Sequence, residues 1–152
     1  MAKLDPKPDD LYERDFYAWT QEQAAKLRAR GHNAIDWENV AEEIASLGRS
    51  DRREIRNRLA VVIMHLLKWR HQPEKRSASW KRTLIEQRRQ LNNLLRESPS
   101  LRSFPASIVP EDYEFIRSTA ADETGLEFSE FPDECPFSIE EILDAGFLPE
   151  GN

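Results

Sequence analysis

The chain has 152 residues, 39% hydrophobic and 33% charged, with five glycines and one cysteine. That length bounds one domain with a sizeable core, here expected to span residues 1–152. So few glycines argue against a turn-rich β fold, and the lone Cys135 excludes an internal disulfide and a cysteine-based zinc site. The net charge of −6 conceals a polarity: residues 49–102 balance at +10, residues 1–48 at −4 and residues 103–152 at −12. Such segments can neutralise one another within a fold or face different partners.

The first ten residues hold no apolar run and do not read as a signal peptide; residues 1–8 are expected to be flexible. The longest apolar stretch, Leu59 to Leu67, is interrupted by His65 and falls far short of the ~20 residues that span a bilayer. A soluble, cytoplasmic protein without membrane association is expected.

Helical periodicity begins after Pro8. Tyr12, Phe16, Trp19, Gln23 and Leu27 fall on one face of a helix running from Asp9 or Asp10 to Arg30, with Gly31 as its left-handed stop. Asp36 is an N-cap candidate for a short second helix, with Trp37, Val40, Ile44 and Leu47 inward and Gly48 closing it. A third helix opens at Ser50 and ends before Pro73, carrying Ile55, Leu59, Val62, Leu66 and Trp69. Between Val61 and Leu67 it is apolar nearly all round, so it should be enclosed by the others. A fourth helix starts near Ser77 or Ser79 and runs to Glu97, with Trp80, Leu84, Gln87, Leu91 and Leu94 as its buried stripe. Ser98-Pro99 breaks it. A fifth fits Pro110 to Thr124, with Tyr113, Ile116 and Ala120 inward and Gly125 as cap. The acidic remainder is rich in aromatics and ends in a short helix from Ser138 to Ala145, so residues 126–148 are expected to dock on the bundle.

These segments also make up a recognisable order. Asp15-Phe16-Tyr17-Ala18-Trp19 is followed by Asp36-Trp37-Glu38-Asn39, Glu42-Glu43-Ile44, Leu47-Gly48-Arg49-Ser50, His65-Leu66-Leu67-Lys68-Trp69 and Ser79-Trp80. Then come Glu86-Gln87-Arg88-Arg89, Ser98-Pro99-Ser100-Leu101, Glu123-Thr124-Gly125-Leu126 and Phe131-Pro132-Asp133-Glu134-Cys135-Pro136. Over roughly Leu11 to Leu148 the chain resembles the bacterial domain-of-unknown-function family numbered 29. The resemblance implies an all-helical bundle in a bacterial cytoplasm and carries over no functional residue.

Few residues offer chemistry. His65, in the apolar stretch, could be a general base or metal ligand oriented by Glu43, or a buried histidine satisfied by one hydrogen bond, which is the favoured reading. His71 lies on another side of the same helix, His32 is in a loop, and no paired His-carboxylate motif exists, so no metal is expected; only Glu42, Glu43 or Glu86 could add ligands. Arg82, Arg89 and Arg96 recur every seven residues and could meet phosphates, or form a solvated face covered by the acidic arm. The four tryptophans read as core, and the acidic neighbours of Cys135 argue against a nucleophile.

The sequence therefore predicts an all-α, up-and-down helical bundle of four main helices, with a fifth helix and a short C-terminal helix. Its expected role is a non-catalytic protein–protein interaction or regulatory module without cofactor, its partner another protein or a second copy. A nucleic-acid-associated protein is the alternative, and an enzyme or metal site around His65 and Glu43 the second alternative.

Overall fold

The computed structural model describes residues 10–14 and 16–150; the expected flexibility of residues 1–8 and the inward position of Phe16 lie outside the described residues. The chain divides into two compact units, residues 1–49 and 50–152. Among the described residues all regular structure is helical.

In the first unit, α1 (Leu11–Arg14) and α2 (Phe16–Arg28) occupy the span expected for one helix. The stop differs from expectation. Arg30, not Gly31, adopts the left-handed conformation, at φ 55°. The amide of Gly31 donates to Lys26 O at 3.0 Å and that of Arg30 to Leu27 O at 3.1 Å. This is the double hydrogen bond of a Schellman ending, shifted one residue toward the N-terminus, so an arginine bears the strain that glycine would have avoided.

The second and third expected helices are one. α3 runs unbroken from Trp37 to His71, 35 residues, through the Gly48 and Ser50 that were read as its boundary. A glycine inside a helix costs about 1 kcal/mol relative to alanine. Its neighbours Ala45, Leu47 and Arg49 are strong helix formers and no proline intervenes, which offsets that cost. Asp36 does cap the start: Asn39 N donates to its Oδ1 at 3.4 Å.

In the second unit the chain runs up along α3, down α4 (Ala78–Glu97) and up α5 (Phe104–Thr124). Arg58 meets Gln87 and Lys68 lies over Trp80, which makes α3 and α4 antiparallel. Arg56 meets Asp112 and Lys68 meets Glu123, so α5 is parallel to α3. As the periodicity predicts, Ile55, Leu59, Val62, Leu66 and Trp69 are buried. α4 begins on Ser77, whose Oγ accepts from Trp80 N at 3.2 Å. Its buried stripe keeps the expected Leu84 and Leu91 but has Arg88 and Leu95 in place of Gln87 and Leu94, with Trp80 and Gln87 only half-buried. α5 starts six residues before Pro110, with Pro105 in its first turn. Pro110 sits inside it and forfeits one backbone hydrogen bond, a loss tolerated where Ile108 and Val109 are buried. Gly125 ends it in the left-handed conformation, φ 73°.

Residues 126–148 contribute Phe131, Phe137 and Ile142 to this core. The short α6 (Ile139–Leu143) opens with a capping box in which Ser138 and Glu141 exchange hydrogen bonds of 3.0 and 3.1 Å. Arg88, 1% exposed, reaches this segment with its whole guanidinium: Nε donates to Ile142 O, Nη1 to Phe147 O and Nη2 to Glu141 O, at 2.9, 2.8 and 3.1 Å. Asn92 adds a bond to Leu143 O at 3.0 Å.

Candidate functional site

Of the catalytic candidates, Glu43 belongs to the first unit and His65 to the second, both along α3. Glu43 accepts a hydrogen bond from the Tyr12 hydroxyl, which raises the Tyr12 pKa to about 12. His65 donates from Nδ1 to Val61 O, one turn back, at 2.8 Å. Burial lowers its pKa, which favours the neutral ring. His71 packs its ring on Phe131 at 4.8 Å and is likewise lowered by burial. Among the described residues no group of three His, Cys, Asp or Glu side chains could hold a metal ion.

The arginine row on α4 is not a row of free charges. Arg89 holds Glu86 through Nε and Nη2 at 3.1 and 2.9 Å, and with Gln90 it keeps the Glu86 carboxyl at about 2. Arg96 donates to Asn93 Oδ1 at 3.0 Å. Of the three, Arg82 is exposed and has no partner side chain among the described residues. The basic and aromatic side chains gather instead at the turn between α3 and α4. There Arg76 and Lys81 lie over Trp69, at 5.1 and 5.6 Å, and Lys68 lies over Trp80 at 4.8 Å. Periodicity alone missed this cluster, because its members are split between two helices and a turn.

Cavities occur in both units. In the first, a cleft of about 640 Å³ is lined by Tyr12, Arg14, Trp19, Glu22 and Lys26 among others. In the second, a groove of about 630 Å³ runs past Tyr113, Glu114, Glu134, Cys135 and Phe137. Burial pushes the Cys135 thiol up, and its Sγ donates to Phe137 O at 3.6 Å. A protonated thiol is a poor nucleophile, and burial rather than the neighbouring Glu134 is the main cause. Tyr113 is raised to about 12, also chiefly by burial, and its hydroxyl donates to Pro132 O at 2.7 Å.

The most unusual surface is on α3. Trp37, Ile44 and Leu47, expected in the core, are 50%, 65% and 67% exposed. At 100° per residue Trp37, Ala41, Ile44 and Gly48 fall within roughly 60° of one another, with Leu47 on one flank and Ala45 on the other. All six are exposed. Trp37 is nevertheless held in place: its indole Nε1 donates to His32 O at 3.0 Å and its ring meets the His32 ring at 5.1 Å. Gly48 has open space where a Cβ would sit. Of the expected core tryptophans, Trp19 and Trp69 are buried, Trp80 is half-buried and Trp37 is not.

Among the described residues no helix is long and apolar enough to cross a membrane. No curated protein and no solved structure matches the chain. The family model described as "Domain of unknown function DUF29" matches residues 11–148, nearly the whole length, and the chain belongs to that family.

Proposed function

We propose that the protein is a non-catalytic interaction module whose contact surface is the apolar face of α3 between Trp37 and Gly48. One observation carries the reading: three large apolar side chains, half to two-thirds exposed, share one face of a helix. A contiguous apolar patch on a protein surface marks a contact site more often than a solvated one. The helix supplies rigidity, and the hydrogen bond from the Trp37 indole to His32 O pre-sets the largest anchor, which lowers the entropy lost on binding.

The alternatives have less support. The nucleic-acid reading relied on Arg82, Arg89 and Arg96, of which Arg89 is committed to Glu86. The enzyme reading relied on His65 and Glu43, whose bonds are to the Val61 carbonyl and from the Tyr12 hydroxyl.

The test is a photo-crosslinking amino acid placed at Ala41 in the living cell, with Glu97 on α4 as an exposed control. A protein adduct specific to position 41, identified by mass spectrometry and lost in the Ile44→Glu/Leu47→Glu double variant, is expected. Equal crosslinking at 41 and 97 overturns the reading.

A further inference from the structure

We propose that the occupant of this face is a second copy of the same chain, its α3 segment running antiparallel. The inference rests on reading that face as a contact surface, and adds the partner and the register.

The argument is one of size. Along the centre of the face, from the N-terminal end, the side chains are large, small, large, absent: Trp37, Ala41, Ile44, Gly48. The order matters because an antiparallel copy presents it reversed. With the two-fold axis between positions 42 and 43, Trp37 meets the site of the partner's Gly48, and Ile44 meets that of the partner's Ala41. Every large side chain on the centre line then faces a small one or none, as knobs facing holes do in packed helices. A parallel copy would set Trp37 on Trp37 and leave Gly48 facing Gly48, with a void between them. Ala45 keeps one edge thin, which lets the backbones approach closely.

Gly48 supports the same assignment independently. Inside a helix glycine is the poorest residue short of proline, and nothing within 4 Å in the protomer requires its lack of a Cβ. The tryptophan of a second copy would fill that space. Three turns of helix bury on the order of a few hundred Å² per copy, below the size of permanent dimers, so the association is weak and concentration-dependent.

Sedimentation equilibrium of the full chain across the micromolar to millimolar range tests the proposal. A monomer–dimer equilibrium is expected. Gly48→Leu, which fills the hole, and Ile44→Glu should each weaken it roughly tenfold or more, with the thermal midpoint of the protomer held or raised for Gly48→Leu. Orientation is read by disulfide formation in a Cys135→Ser background. Trp37→Cys mixed with Gly48→Cys should cross-link, and Gly48→Cys alone should not.

A monomer at all concentrations overturns self-pairing. So does a dimer that tolerates Gly48→Leu and Ile44→Glu, or one that cross-links through position 48 alone. The interaction reading fails separately: an adduct at Ala41 with a different protein keeps that reading while removing this one, and no specific adduct removes both.

Discussion

Arg88 on α4 donates from Nε to the carbonyl oxygen of Ile142 at 2.9 Å, and the same guanidinium serves the carbonyls of Glu141 and Phe147. The group is buried, and desolvation lowers its pKa, but arginine still carries its charge. Its planar fork meets three main-chain acceptors that would otherwise be short of donors. Arg88→Leu is expected to destabilise the protein by about 3 kcal/mol, since it leaves buried carbonyls unpaired. Arg88→Lys should recover only a little, because a point ammonium cannot span the three. Urea denaturation gives the magnitude. A loss below about 1 kcal/mol would mean that water replaces the guanidinium without cost.

Leu66 lies wholly buried at the middle of the core of the second unit. Leu66→Ala is expected to cost on the order of 2–5 kcal/mol, the transfer term plus a cavity that helices on several sides cannot close. Equilibrium unfolding in urea checks it. A small loss would show that this part of α3 relaxes freely.

Arg30 carries a left-handed backbone, φ 55°, at the end of α2. Arg30→Gly should stabilise by about 0.5–1 kcal/mol, as relief of the Cβ clash exceeds the added freedom of the unfolded chain. The thermal midpoint measures this, and a fall would indicate that the arginine side chain contributes more than its backbone costs.

His65 and His71 both have folded-state pKa values below the ordinary imidazole value, His65 chiefly through burial and the charge of Lys68, His71 chiefly through burial and the charge of Arg70. Below about pH 6.5 the unfolded chain takes up protons that the folded one refuses, so stability falls as pH drops through that value. Above it the contribution is complete. Denaturation midpoints at pH 7.5 and at about pH 5.5 should differ, and the difference should shrink in His65→Gln/His71→Gln. An unchanged slope in the double variant would assign the effect to carboxylates.

The full chain is expected not to bind mixed-sequence RNA or duplex DNA measurably at physiological salt. Glu86 occupies Arg89, and thirteen acids follow Arg102 on a chain of net charge −6. Their field acts over a screening length of ~8 Å against a basic surface of modest size. Fluorescence anisotropy with labelled oligonucleotides is the measurement. Micromolar binding weakened by Arg89→Glu would return the nucleic-acid reading to first place.

Much of the fold was legible because apolar residues announce their spacing. Ile55, Leu59, Val62, Leu66 and Trp69 sit where a helical period places them. The failures share a cause, that local chemistry does not report tertiary demand. Gly48 followed by Ser50 has the form of a helix end and a new cap, yet the helix continues through both. Arg88 was invisible as a core residue because charge reads as surface, and its acceptors lie more than fifty residues away. It and Leu95 take the buried places expected for Gln87 and Leu94, while Leu84 and Leu91 keep theirs. Trp37, Ile44 and Leu47 were correctly placed on one face, but a sequence cannot say whether such a face meets its own chain or another.

The clasp of Arg88 on the last helical turn is built from main-chain acceptors alone. α4 therefore grips the course of the polypeptide directly, through its backbone. Glu140 could be exchanged for a neutral residue with the guanidinium bonds intact, provided Ile142 still fills its place in the core, whereas Glu141 holds the capping box and Asp144 accepts from Gly146 N and favours the nearby guanidinium charge. Attachment of the segment thus rests on its backbone course first and on two of its carboxylates second. At the exposed Glu140 alone, charge can be rewritten as a label while the architecture beneath stays the same.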